Sequence, residues 1–219
     1  MKNILTVAAL LFISISSFSQ IKEGHVKFKI DIESNNPEMQ MQVAMLQNSK
    51  LDLFFNNKTT RSEFAMGTIM TMITVANAET DQLLMLMSGM VGKQAIKTTI
   101  TEINKKKPED AINVKLVDET KTILGFKCNK ALITDAEGNE SVFWYTSEIE
   151  VDKKGQSMFS EKIPGFALEY EMSQQGLKMT MTAVEVDKKL DKKQKELFDL
   201  VIPTDYKEIT LEDLNSMGK

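Results

Sequence analysis

One cysteine, Cys128, and one histidine, His25, bound the nucleophilic chemistry open to this chain. A catalytic thiol or hydroxyl needs a base to take its proton, and His25 is the only imidazole available. Nothing in the sequence pairs the two. Cys128 lies in ILGFKCNKAL, and a thiol set among Leu124, Phe126 and Leu132 behaves as a small buried hydrophobe. A single cysteine also makes no redox pair and no internal disulfide. His25 falls on the polar side of an alternating run, with no second histidine or cysteine near it. It reads as a surface residue rather than a metal ligand.

Asp135, Glu137 and Asn139 in TDAEGNE are spaced like calcium ligands. The loop fails the pattern, because glycine is at Gly138 instead of the sixth position and Thr146 stands where the closing glutamate belongs. A hairpin turn using Gly138 and Asn139 explains it better. No glycine loop suited to phosphate occurs, and the carboxylates are scattered over polar faces. The sequence therefore assigns no catalytic residue, no metal and no cofactor, and the chain is read as not an enzyme.

The unusual signal is methionine, at 15 residues. They gather at Met39, Met41 and Met45, at Met66, Met70 and Met72, at Met85, Met87 and Met90, and at Met172, Met179 and Met181. In LKMTMTA, Leu177, Met179 and Met181 project from one strand face. Methionine fills irregular core gaps, and it also lines surfaces that accept varied apolar shapes. Ordinary core packing and an adaptable cavity both fit.

The elements that carry these residues are mostly strands. MKNILTVAALLFISISSFS has a basic start, an apolar stretch from Ile4 to Ile15 and small residues at Ser17 and Ser19, which reads as a secretory signal peptide over residues 1–19. Residues 20–219 then form a single domain. Without Lys2 the net charge moves from −4 to −5, a poor match for nucleic acid or an anionic bilayer. No later run is long and apolar enough to be a transmembrane segment. GHVKFKIDIE alternates strictly, with Val26, Phe28, Ile30 and Ile32 on one side. Asn36, Pro37 and Glu38 open a helix through Leu46. LDLFF, TTRSEFAM, TIMTMITVA, QLLMLM and KQAIKTTITEI follow as strands, and KKKPED as a polar break. INVKLV and TILGFKC are strands separated at DET, and LITDAEGNESVFWYT is a hairpin turning near Glu137–Asn139. FALEYEM and LKMTMTAVEV form another pair around SQQG. Leu190, Leu197, Phe198 and Val201 fall at helical spacing before Pro203, and Thr210 with Asp213 marks a short terminal helix. Many short strands with few helices make an α+β, mainly antiparallel β fold.

Three stretches carry a resemblance. TKTILGFKCNKA with FWYTSEI resembles the central hairpin of a family of secreted bacterial proteins known only as a domain of unknown function. KIPGFALEYEM and FDLVIPTDYKEI resemble segments of the related GLPGLI group. That group in turn resembles the LolA-like periplasmic lipoprotein-carrier fold, an incomplete, half-open β-barrel with lid helices over an apolar concave face. The resemblance implies that Met39–Leu46 is a lid and that the methionine strands form the cavity wall. It also implies that Cys128 and Trp144 pack against each other on adjacent strands. The ligand-contacting residues it points to are Met41 and Met45 from the lid and Met70, Met72, Met85, Met87, Met179 and Met181 from the wall, with Phe126 and Trp144.

Two functions follow. The first is an exported envelope protein that binds a lipid or other apolar ligand, in the periplasm, at the outer-membrane periphery or outside a Gram-negative cell, with peripheral envelope contacts and no nucleic-acid partner. The second is a structural or interaction module of the envelope with a filled core. Both rest on export, which gives the first expected outcome: amino-terminal sequencing of the envelope-resident protein should find a start within a residue or two of Gln20, and an intact Met1 would refute it.

Overall fold

Among the described residues, ten of the eleven strand-to-strand pairings are antiparallel. The computed structural model describes residues 20–90, 92–105, 113–135, 138–154, 162–174 and 176–217; the expected leader and most of KKKPED lie outside them. The first half contains β1 (Gly24–Glu33), α1 (Gln40–Leu46), β2 (Lys50–Phe55), β3 (Thr59–Met66), β4 (Met70–Asn77), β5 (Gln82–Gly89), β6 (Gly92–Thr99) and α2 (Ile100–Asn104). The second contains β7 (Asn113–Ile123), β8 (Phe126–Thr134), β9 (Glu140–Thr146), β10 (Phe166–Gln174), β11 (Leu177–Asp187), α3 (Lys192–Lys195), β12 (Lys207–Glu208) and α4 (Leu211–Met217). The strands form one 12-stranded sheet in the order β12-β6-β5-β4-β3-β2-β1-β11-β10-β9-β8-β7. It is an open, curled, mainly antiparallel sheet that does not close into a barrel, and only β12 runs parallel to its neighbour.

Register gives the sheet two different faces. Met87, Met72, Phe64, Leu51, Phe28 and Ala183 stand opposite one another in turn across six strands. Directly opposed side chains share a face, so this row marks the inner, apolar side. A second row runs Ile30, Met181, Tyr170, Phe143 and Ala131. The main core lies here, with Phe143 stacked on Tyr170 at 5.3 Å and Phe166 beside Phe28 and Phe55. The outer face carries ion pairs such as Lys27–Glu185 and Lys121–Glu169.

The C-terminal segment wraps the β6 edge. Leu200, Ile202 and Tyr206 cover Val75, Leu84, Leu86 and Ala95 on the outer face. β12 then pairs with β6, and Ile209, Leu211 and Leu214 pack inside against Met87 and Ile96.

Several sequence expectations need correcting. KQAIKTTITEI is not all strand: Thr99 caps the Glu102 amide and turns the chain into α2. DET is no break, because β7 runs through it with a bulge between Val117 and Thr120. TILGFKC does break, since Leu124 and Gly125 both have positive φ, at 50° and 84°, and form the hairpin turn. The helix expected up to Val201 covers only residues 192–198, started by an Asp191–Gln194 capping box, and beyond it the chain is extended. α1 meets the β3–β4 tip through Thr68 N and Met45 O, with Val43 and Leu46 buried and Met41 and Met45 exposed. The turn near Glu137–Asn139 is framed by β8 and β9 as expected, with Glu137 itself outside the described residues.

A type I′ hairpin turn disfavours a branched residue at its first position, where Asn is preferred. The left-handed conformation costs an ordinary L-residue about 1–2 kcal/mol. Leu124→Asn should therefore raise stability by about 1 kcal/mol, read as a higher urea midpoint at unchanged m-value.

Candidate functional site

Inner-face cover is uneven. On β2, Leu51, Leu53 and Phe55 are buried, and on β5, Leu83 and Met87 are buried. Between them, Ser62, Phe64 and Met66 of β3 and Met70, Met72 and Thr74 of β4 are all only half-buried. The reason is where the covering pieces end. The aromatic core and residues such as Ile149, Val151 and Ile163 fill the inside of β1, β2 and β8–β11. Ile209 and α4 cover β5 and β6, and Met70 and Met72 of β4, still half-buried, pack against that cluster. A strip of thioethers, one phenyl ring and two small hydroxyls stays partly open between them. At one end of the sheet Ile32, Met172, Leu177 and Met179 are half-buried as well.

The expected ligand residues fall into four groups. Met70, Met72, Met85 and Met87 come together along the strip, Met87 at 4% exposure being part of its base. Met179 and Met181 lie on β11, separated from the strip by the buried inner faces of β2 and β1, and Met181 is 2% exposed with its Sδ accepting the Tyr170 hydroxyl proton. Met41 and Met45 face solvent. Phe126 and Trp144 belong elsewhere: Phe126 is buried under Lys188, and Trp144 lies on the outer face with Lys121 Nζ at 4.4 Å from its ring. Sequence reasoning missed Phe64 and Met66, whose strand TTRSEFAM reads as mostly polar. Only pairing with β2 and β4 reveals which side of it faces in.

A cavity of about 1000 Å³ opens between the end of β1 and residues 47–50, lined among others by Lys27, Lys29, Asp31, Lys50 and Ile32. No described methionine lines it, and its walls mix charged side chains with Phe28, Ile30, Ile32 and Val184.

The chemistry-bearing side chains are occupied. His25 is on the polar face as expected but is not a surface residue, being 4% exposed. Its ring stacks on Phe54 at 4.1 Å, and Nε2 is 2.8 Å from Asp52 Oδ1. The alternation of β1 alone could not reveal that β2 places a phenyl ring on the outer face. Cys128 is four strands away from β1 in the sheet order. Its thiol donates to the Phe126 carbonyl, and burial pushes its pKa up to about 11. Directly across from Trp144 are Lys130 and Glu169, so the expected Cys128–Trp144 pair is at best diagonal. Asp135 accepts hydrogen bonds from the backbone and side chain of Asn139, the geometry of a turn.

The family model described as "N-glycanase peptide, N-terminal domain" matches residues 26–211. It is not the group expected from the ILGFKC and FWYT motifs. No match to a curated protein was found. Among solved structures, lipoprotein LppX of Mycobacterium tuberculosis superposes over 78% of this chain and 89% of its own, at 9% identity and a TM-score of 0.37. LprF of Mycobacterium bovis covers 84% and 90%, at 8% identity and a TM-score of 0.34. A LolA superfamily protein of Nitrosomonas europaea covers 82% and 90%, at 7% identity and a TM-score of 0.25. Superpositions this loose carry no argument, and the fold stands on strand order and register.

A thiol neutral at physiological pH and sealed in the core is neither nucleophile nor metal ligand. Cys128→Ser should cost about 1–3 kcal/mol, the penalty for burying a poorly paired hydroxyl. In the native wild type, alkylation by iodoacetamide should proceed no faster than unfolding. Rapid alkylation without unfolding would reopen the case for a reactive thiol.

Proposed function

The chain belongs to the N-glycanase N-terminal-domain family, and from that premise we propose that it is a non-catalytic module that binds an apolar ligand, a lipid or acyl chain, along the inner strip of β3 and β4. On this reading it holds, and does not cut. The observation that carries it is the half-burial of Phe64, Met66, Met70 and Met72 between two well-packed neighbours. Ordinary burial of a methionine or phenylalanine side chain is worth about 1.5–3 kcal/mol, so an apolar strip left partly wet is a standing incentive to bind. Methionine suits the task because an unbranched thioether adapts to chains of different length. The non-catalytic reading is supported by the sealed thiol, by the Asp52 contact of His25 and by the lateral ion pairs that engage Glu63, Glu169 and Glu185. Export to the envelope of a Gram-negative cell, a single domain from Gln20, and kinship with the secreted group named above belong to the same proposal.

A packed structural module is the second reading, favoured by the near-complete burial of Met87 and Met181. The two separate in paired variants. Met72→Glu places a carboxylate on the half-buried strip that water reaches, so the protein should fold, and a fluorescent fatty acid should bind at least about tenfold more weakly, about 1.4 kcal/mol. Met181→Glu buries an unpaired charge in the core and should fail to fold at neutral pH. Wild-type protein that takes up no fatty acid, or Met72→Glu that binds it unchanged, would defeat the binder. Incubation with a denatured N-glycoprotein should release no glycan, and release would return the carboxylates to candidacy.

A further inference from the structure

Among the described residues, three exposed methionines, two of them the most exposed large apolar side chains, lie toward one end of the sheet. Met41 and Met45 are 77% and 42% exposed, Met90 is 81% exposed. Met41 and Met45 are four residues apart on α1 and so share a helix face, opposite the buried Val43 and Leu46. Backbone bonds tie this helix to the β3–β4 tip, and that tip to the β5–β6 tip. Thr68 N donates to Met45 O at 3.3 Å, and Met90 N donates to Ile69 O at 3.4 Å. Gly67 permits the approach: a Cβ there would lie 2.0 Å from Met45 O, and its φ of 51° suits glycine. The exposure is therefore built by locked backbone and is not a frayed end.

From this arrangement we infer that the end of the sheet bearing Met41, Met45 and Met90 is a docking lip for the surface of an uncharged, zwitterionic lipid bilayer. Large unbranched side chains standing on tips can enter the headgroup boundary without dragging unpaired backbone with them, because the backbone groups at the contact are already bonded. Ion pairs offset much of the charge near this end, with Lys29 to Asp31 at 2.7 Å, Lys178 to Glu171 at 3.1 Å and Lys93 to Asp205 at 2.5 Å, and exposed Lys50 and Glu38 carry opposite signs. That balance suits a zwitterionic surface better than an anionic one. The lip also continues into the strip. Met66 and Met70 flank the tip between β3 and β4, and Met70 packs with Met72 and Met87. An acyl chain leaving a bilayer at the lip would meet thioethers all the way in. In joining lip to strip the inference rests on the binding function proposed above; the docking itself does not.

Flotation with dioleoylphosphatidylcholine vesicles tests it. The wild type should float, and its partitioning should be nearly the same at 0.05 and 0.5 M salt, since screening acts on charge and not on apolar insertion (roughly a threefold change in screening length). A Met41→Ser, Met45→Ser, Met90→Ser variant should partition about tenfold less or lower while melting normally and binding a soluble fluorescent fatty acid as the wild type does. Met72→Glu, which disables the strip, should float unchanged, so a dry strip and a failed lip are told apart. The inference is overturned if the wild type does not float, if the triple variant floats equally, or if flotation needs anionic lipid and is lost in salt. It is also overturned if sedimentation equilibrium finds these methionines joining two copies of the chain in the absence of any vesicle binding.

Discussion

Everything in this fold hangs on the seam between β1 and β11. β1 to β6 form one meander and β7 to β11 another, each made by neighbours in sequence. The two become one sheet only where β1 meets β11. Closing a loop on the order of 150 residues costs about 4–5 kcal/mol of chain entropy. Val26, Phe28, Ile30 and Met181 at the seam are all essentially buried, and each offsets about 1.5–3 kcal/mol of that cost. The seam is thus favourable with a margin, yet it forms from distant partners, which makes it the slow step in a topology of this kind. The aromatic core sits directly upon it, with Phe28 and Tyr170 contributed by β1 and β10. Neither meander owns that core by itself.

How much of this was legible in the sequence follows from what alternation can and cannot encode. GHVKFKIDIE states its own inner face, and the structure agrees residue by residue through Ile32. TTRSEFAM matched its strand limits but hid its role, since Ser62 and Phe64 share a face with no common polarity. His25 was misjudged for a related reason: its burial is supplied by Phe54 from another strand. Turns depending on φ were readable where glycine announced them, as at Gly138 and Gly176. The turn at Leu124 was not, because leucine rarely adopts positive φ and the sequence Ile-Leu-Gly-Phe reads as one apolar run. The C-terminal helix was overextended because Leu200 and Ile202 are apolar at workable spacing, yet they serve an extended strap over the outer face. Periodicity shows that residues are buried; it does not show by which element.

The outer ion pairs fix which face is which more than they add stability. Lys27 and Glu185 lie side by side across the seam, and each holds the other charged, the carboxyl drawn below its usual range and the ammonium above it. Exposed pairs of this sort contribute little net energy in water. Their consequence is register: slipping β1 by one residue against β11 would turn Lys27 and Lys29 inward and Phe28 and Ile30 outward, a change no core of this size tolerates.

That two-faced sheet is thinnest at β3 and β4, where neither side is fully covered. On the outer side Arg61 and Glu63 occupy the space, with the guanidinium bonded to Glu63 and to the Leu197 carbonyl, so water there meets charge. On the inner side water meets Phe64, Met66, Met70 and Met72. A monomer can carry some exposed apolar surface at modest cost, but a contiguous inner strip rimmed by packed core is the kind that marks an interaction site. Methionine changes the terms of that exposure. Its long unbranched side chain can fold over its neighbours when the strip is empty and extend along an incoming chain when it is filled, whereas leucine or isoleucine would leave a rigid groove or a rigid plug. The abundance of methionine on these strands then has a physical reason in the gap between the covering elements, a gap set by how far the C-terminal wrap and the central core reach.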